Sequence, residues 1–375
     1  MPHQTITQNA TRVTFFVVGL AMGAWAPLVP LVKAQIGLDD RQLGLLLLCV
    51  GLGSVTVMPF AGGLAARFGC RRTILTAGVF LLASLPIMAA APTVPLLATG
   101  LILFGAGTGM VDVVMNIQAV IVEKASGRAM MSGFHGLYSV GGIAGAAGAT
   151  GLLALGASSL GAALLVVFLS AALLAAFARG LLPFGAEEDS PAFVLPHGRV
   201  LLLGALCFTL FLAEGSVLDW SGVLLTTERG VDKAHAGIGY VAFATMMTLG
   251  RLTGDAIVRR FGRRPILVFG GLCAATGFAL AALVPSWPIS VLGFTLVGAG
   301  ASNVVPILFT AAGNQTSMPS NLAVAAVTTA GYAGILAGPA LIGFFAHATT
   351  LSLALLALSA MLVGVALSAR PATAG

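Results

Sequence analysis

The stretch GRLTGDAIVRRFGRR, residues 250–264, decides the fold, because its tripeptide Arg260-Phe261-Gly262 repeats the Arg67-Phe68-Gly69 of GGLAARFGCRR, residues 62–72, at a distance of 193 positions. A second landmark keeps the same distance: Gly105-Ala106-Gly107 recurs as Gly298-Ala299-Gly300. Two independent landmarks sharing one offset indicate a duplicated chain. Outward from both copies the sequence is a series of apolar runs of about 18 to 28 residues, each long enough to cross a hydrocarbon core of about 30 Å as a helix. Twelve such runs are predicted between residues 12 and 369, the fourth, fifth, tenth and eleventh interrupted by glycines that suit close helix packing. The most polar segment, PFGAEEDSPAFVLPHG at 183–198, separates them six and six. The expected fold is therefore an all-α integral membrane protein of twelve transmembrane helices in two six-helix bundles, residues 1–182 and 199–375, joined by a cytoplasmic linker at 183–198.

Composition excludes the alternatives. Of the 375 residues 58% are hydrophobic and 8% charged, against about 25% charged in a soluble domain. An outer-membrane barrel would need apolar–polar alternation in segments of about ten, which the continuous runs do not offer. Cys49, Cys70, Cys207 and Cys273 form no CxxC pair, so neither a metal site nor a disulfide framework is expected. No HExxH, GxSxG or Walker loop occurs, which argues against an enzyme and against an ATP-driven pump. No cofactor is expected. The net charge of +6 is scattered through short connections and forms no basic face, so nucleic acid is not a partner.

The charges set topology instead. With the N-terminus inside, thirteen basic residues (Arg12, Arg67, Arg71, Arg72, Lys124, Arg128, Arg179, Arg199, Arg259, Arg260, Arg263, Arg264, Arg370) fall inside, and four (Lys33, Arg41, Arg229, Lys233) outside. That bias places both termini and the linker on the cytoplasmic side of the membrane. The remaining basic residue, Arg251, lies within a span. The loop arginines are expected to touch membrane lipids, and a monomer is expected.

Both loops, GGLAARFGCRR and GRLTGDAIVRRFGRR, resemble the glycine-acid-basic signature of the major facilitator superfamily. The first departs from it, with Ala66 where an aspartate is usual; in the second, Asp255 stands one turn earlier than the strict equivalent. VDVVMNIQAVIVE (111–123), GRAMMSGFHGLYSVGG (127–142) and LAEGSVLDWSGVLL (212–225) look like the YbjJ-like branch of that superfamily, distantly similar to fucose permease-type sugar–proton symporters. The resemblance covers the whole chain. It implies twelve helices in parallel repeats and transport by alternating access, and it leaves the substrate open.

Ionisable groups at membrane depth are costly, so each is a functional candidate. Asp112 lies about 17 residues, or roughly 25 Å, into the fourth run, with Asn116 one turn on. A proton-coupled carrier needs a carboxyl that titrates near ambient pH, and burial moves a carboxyl that way. Asp112, Glu214 and His135 are the proton-coupling candidates, Asp112 first; the bland reading of Asp112 is a helix-gluing bond with Asn116. Trp25, Asn116, Tyr138, Glu214, Asp219, Asn303 and Tyr332 are candidates for binding substrate, though each polar or aromatic side chain could equally bond a neighbouring helix. Glu214 and Asp219 are five residues apart, about 140° around a helix, and would share a site only if the seventh span breaks at Gly215. Arg67, Arg251, Asp255 and Arg259 are the gating candidates, with Arg251 and Asp255 spaced to pair at i,i+4.

These residues point to a secondary transporter, proton-coupled, for a small neutral polar solute. With Arg251 assigned to the inner gate, no cation is left deep enough for an anionic substrate. An exporter of lipophilic cations is the alternative within transport, and a non-transporting membrane sensor the alternative outside it.

Overall fold

A computed structural model describes residues 2–186, 194–232 and 235–373, and all their regular structure is helical. The helices are α1 Pro2–Trp25, α2 Val29–Ile36, α3 Asp40–Ala89, α4 Val94–Ser126, α5 Met131–Ala154, α6 Ser159–Phe177, α7 Arg199–Thr227, α8 Ile238–Phe261, α9 Arg263–Leu283, α10 Trp287–Ala301, α11 Val304–Asn314, α12 Ser320–Ala348, α13 Leu351–Leu367 and α14 Ala369–Thr373. Among the described residues ten helical segments are long and apolar enough to cross a bilayer, with Leu351–Leu367 a shorter apolar helix besides. Their outward surfaces are apolar: Phe168, Leu52, Val79 and Phe344 are more than 60% exposed. Side chains of that kind are stable against lipid and not against water.

Local sequence explains the boundaries. Asp39 and Gln42 form a reciprocal capping box at the start of α3. Ser158 and Thr350 cap α6 and α13, and α4 ends on Gly127 in the left-handed conformation. The first span is not one regular helix: Pro27 and Pro30 tighten residues 26–28 into a 3-10 turn between α1 and α2. The tenth span also breaks, between α10 and α11 at Ser302-Asn303. Pro306 is the physical reason, since it has no N–H for the Ser302 carbonyl and its ring crowds that carbonyl. Conversely α7 is unbroken at Gly215, contrary to the discontinuity considered for the seventh span. Gly215 serves packing there: a Cβ would press on Ile335.

The duplication is visible in the backbone. Gly69 interrupts α3 with φ 80° and ψ 159°, and Gly262, its repeat mate, separates α8 from α9 with φ 83° and ψ 162°. Only glycine takes that conformation without strain. The guanidinium of Arg67 lies 5.1 Å above the Phe68 ring, and that of Arg260 5.3 Å above Phe261. A Cβ on Gly105 would strike the carbonyl oxygen of Val50, and one on Gly298 that of Phe243; a Cβ on Gly107 would meet the main chain of Leu81, and one on Gly300 that of Ala274. Both partners are again 193 positions apart (243 − 50 and 274 − 81), so the repeats share helix-packing geometry and not merely a motif. Gly105→Ala and Gly298→Ala are each expected to cost about 1–3 kcal/mol by forcing packed backbones apart, read as a lowered melting temperature of the purified protein.

The chain forms two compact units. The first is Met1–Gly127, Leu137–Leu195 and Met318–Thr329; the second is Arg128–Gly136, Pro196–Ser317 and Ala330–Gly375. The opening turns of α5 thus belong to the second unit, and those of α12 to the first. Part of the 183–198 linker, residues 187–193, lies outside the described residues, as does Lys233.

Candidate functional site

In the second unit α7 and α8 bring two opposite charges together midway along their lengths. Arg251 donates from Nη2 to Oε2 of Glu214 at 3.4 Å, and the two side chains are 9% and 14% exposed. The other carboxylate oxygen, Oε1, is enclosed without a hydrogen-bond partner. A buried ion pair is tolerated only where each charge answers the other. Arg251 is therefore a mid-helix residue that meets Glu214, a partner 37 positions away that spacing along α8 does not suggest. Asp219 points elsewhere, exposed on another face of the unbroken α7, so the structure does not bring it to Glu214.

Asn303 stands at the α10–α11 break and ties it to α8. Its Nδ2 donates to the carbonyl of Gly250 at 3.1 Å and to Ser302 Oγ at 3.1 Å, while its Oδ1 is enclosed without a partner. The first turns of α5 pack onto α8, where Gly136 leaves no room for a Cβ against the main chain of Arg251 and Leu252. His135 is buried there and stacks on Phe309 of α11, with ring centroids 5.5 Å apart and planes 10° from parallel.

One turn beyond Arg251, Asp255 accepts two main-chain bonds, from Ser132 N–H to Oδ1 at 3.0 Å and from Gly133 N–H to Oδ2 at 2.9 Å. Those amides open α5 and have no acceptor within their own helix. Asp255 is thus an N-cap supplied by a different helix, its negative charge set against the positive end of the α5 dipole. Arg259 Nη1 adds a bond to the carbonyl of Ala129 at 3.2 Å. In the first unit the repeat mate of Asp255 is Gly62 (255 − 193), whose carbonyl accepts a bond from Asn321 Nδ2 near the start of α12, at 3.0 Å. One contact is charged and its counterpart neutral. Asp255→Asn is expected to weaken the hold on α5 by about 1–2 kcal/mol. Hydrogen exchange at the amides of Ser132 and Gly133 checks this, with an expected rise of about 5- to 30-fold.

The first unit holds the other candidates. Asp112 is 8% exposed in α4. Asn116 donates from Nδ2 to the main-chain carbonyl of Asp112 at 2.9 Å, so this bond leaves the carboxyl group out. Tyr138 is half-buried where the α5 main chain runs against Gly19, and Trp25 is buried at the end of α1. Arg67 is exposed above the ring of its own neighbour. In the second unit Tyr332 packs edge-on against Phe211 at 6.1 Å. Gln118 was not among the sequence candidates, yet it is fully buried, donates to Thr11 Oγ1 and accepts from Leu182 N–H. A glutamine inside an apolar run was the signal for it. The acceptor role of Gly250 and the donor roles of Ser132 and Gly133 are main-chain properties that no side-chain pattern reveals.

The Major Facilitator Superfamily model matches residues 13–224 and 205–374. An uncharacterized MFS-type transporter of Yersinia pestis is 57% identical over 98% of this chain and 96% of its own length. Membrane protein MosC of Rhizobium meliloti is 32% identical over 97% of this chain and 90% of its own. Among solved structures, the Escherichia coli fucose:proton symporter FucP superposes with TM-score 0.83 at 16% identity, over 99% of this chain and all of that one. The proton:xylose symporter XylE superposes with TM-score 0.75 at 14% identity, over 98% and 95%. Paired repeats, apolar spans and relatives along almost the entire length agree, and the chain belongs to the Major Facilitator Superfamily of membrane transporters.

Proposed function

We propose that the protein is a proton-coupled symporter of the bacterial inner membrane that moves a small neutral polar solute, sugar-like in chemistry, by alternating access. The observation that carries this reading is the enclosed Glu214–Arg251 pair midway along α7 and α8. Charges at membrane depth are costly and are kept where they act. A glutamate that exchanges an arginine for a proton changes the local charge balance, and such a change biases one conformation against another. Asp112, buried in the first unit, is the second titrating group, and His135 beside α8 a relay. Because Glu214 answers the charge of Arg251, no uncompensated cation invites an anionic substrate, which favours a neutral solute. FucP and XylE, named as sugar–proton symporters, support the same class.

Counting α3 twice supports twelve spans: its 50 residues would extend about 75 Å, more than two bilayer cores, and Gly69 divides it. The ten long segments, the extra half of α3 and α13 then make twelve (10 + 1 + 1). The loop arginines put both termini in the cytoplasm. Residues 1–182 and 199–375 rock against each other, Asn116, Tyr138, Trp25, Asn303, Tyr332 and Asp219 offering polar and aromatic contacts to the solute. Asp255 and Arg259 hold the start of α5 in one state of the cycle and release it in the other.

A thermal-shift screen with sugars, polyols, amino acids and lipophilic cations at pH 5.5 and 7.5 finds the solute. Uptake of that solute into proteoliposomes is expected to alkalinise the external medium and to stop accumulating when a protonophore is added. Accumulation indifferent to the protonophore would sink the coupling, and shifts confined to lipophilic cations would sink the substrate class.

A further inference from the structure

Threonine hydroxyls inside the helices of the first unit commonly turn back onto their own main chain. Thr14, Thr56 and Thr99 donate to the carbonyls of Ala10, Leu52 and Pro95, each four residues earlier, at 2.9, 2.7 and 2.9 Å. Thr108 departs from this pattern. Its Oγ1 donates to Sδ of Met22 on α1 at 3.6 Å, although Thr108 is only 1% exposed and a thioether is a weak acceptor. A buried hydroxyl held by a weak acceptor on another helix is one that a stronger acceptor can take.

Such an acceptor stands one turn along. Asp112 is buried four residues after Thr108 on α4. Side chains on a helix lean toward its N-terminus, which directs the carboxyl toward the turn that holds Thr108. The rest of the first unit supplies little charge at this depth. Residues 13–32, 50–66, 73–89, 159–177 and 320–329 carry no charged or titratable side chain, and α5 from Leu137 onward contributes Tyr138 alone. On α4 itself the next such residue is Glu123, eleven positions or roughly 16 Å away. Within this unit, hydrogen-bond donors and not cations answer a charge on Asp112.

We propose that Thr108 is a positioning residue for Asp112: its hydroxyl passes from the sulfur of Met22 to the carboxylate when Asp112 ionises, and returns when the acid is protonated again. A charge-assisted bond is about twice as strong as a neutral one, which sets the direction of the exchange. Rotation about one side-chain bond suffices, since threonine in a helix divides between two χ1 positions. Met22 is half-buried and flexible, so α1 loses a tie to α4 in one charge state and regains it in the other. That tie lies one turn before the 3-10 turn at Ala26–Leu28, where the first span is already irregular. Proton transfer on α4 is thereby felt by α1. The inference rests on the titration of Asp112 proposed above.

Infrared difference spectra of the full-length protein in liposomes, recorded across a pH titration, test this without any solute. The carboxyl band missing from D112N belongs to Asp112, and the pH at which that band is half-developed is the readout. T108V keeps the volume of the side chain and removes the donor to the ionised form, so this pH should rise by about one unit or more. T108S should restore it. M22L removes the competing acceptor and should lower it. A threonine that merely fills space predicts no movement in either direction. If T108V lacks parent-like circular dichroism, T108A and M22L carry the same test. A band unmoved by loss of the hydroxyl, a shift that T108S fails to restore, or no lowering in M22L would overturn the proposal. If D112N loses no band, Asp112 does not titrate and the exchange falls with it. A band that is present but unmoved sinks the exchange alone, so the two readings fail separately.

Discussion

Replacing Arg251 by leucine is expected to cost about 3–5 kcal/mol of stability, because it strands the Glu214 carboxylate in an enclosed site. The exposures of 9% and 14% leave little water to screen either charge. One carboxylate oxygen already lacks a partner, so Arg251 is the named donor to Glu214. Glu214→Gln should also destabilise, since it leaves the guanidinium without its negative counterpart. The double variant Glu214→Gln/Arg251→Met removes both charges and should recover most of the loss, as apolar or neutral replacements of buried pairs commonly do. It should not recover transport, which on the proposed mechanism needs the glutamate to exchange arginine for a proton. Melting temperatures of the four proteins, followed by solute flux in proteoliposomes, separate the two roles. A double variant no more stable than Arg251→Leu would mean that the pair does not govern the local energetics. One that transports normally would remove Glu214 from the coupling.

Asp112→Asn should abolish proton-driven accumulation while sparing exchange of labelled for unlabelled solute. The Asn116 bond to the main-chain carbonyl of residue 112 survives the change, and asparagine keeps the size and hydrogen-bonding capacity of the acid. An asparagine resembles the protonated acid permanently, so it completes the solute movement but cannot release a proton. The lost accumulation equals what the proton gradient supplied, about tenfold for each pH unit across the membrane. Counterflow measured beside gradient-driven uptake tests this directly. Equal loss of both activities would make Asp112 a structural residue, with the Glu214–Arg251 pair left as the sole coupling element.

These two predictions differ in how far the sequence could support them. Asp112 was legible, since a lone aspartate inside an apolar run with an amide one turn away stands out by composition. The contact between Arg251 and Glu214 was not. Glu214 comes from a different helix, 37 positions away, and Asp255 also accepts from the amides of Ser132 and Gly133, contacts that no spacing along α8 records. The tenth-span break had a signal in Pro306 that glycine counting obscured, and the continuity of α7 through Gly215 overrode a local reading of glycine as a breaker. Both cases turn on whether a small residue loosens a helix or lets another approach it, and only the neighbouring helix decides that.

The sequence by itself determined the helical membrane class, the duplication and the family, because these rest on run length, composition and a repeated offset, all local or periodic quantities. Even the packing partners of Gly105 and Gly298 keep that offset. The tertiary structure alone decided which charges meet and which helix start is capped from outside. Those outcomes depend on distances of a few ångströms between segments far apart in the chain, where Coulomb energy and hydrogen bonding change steeply and no one-dimensional spacing records them.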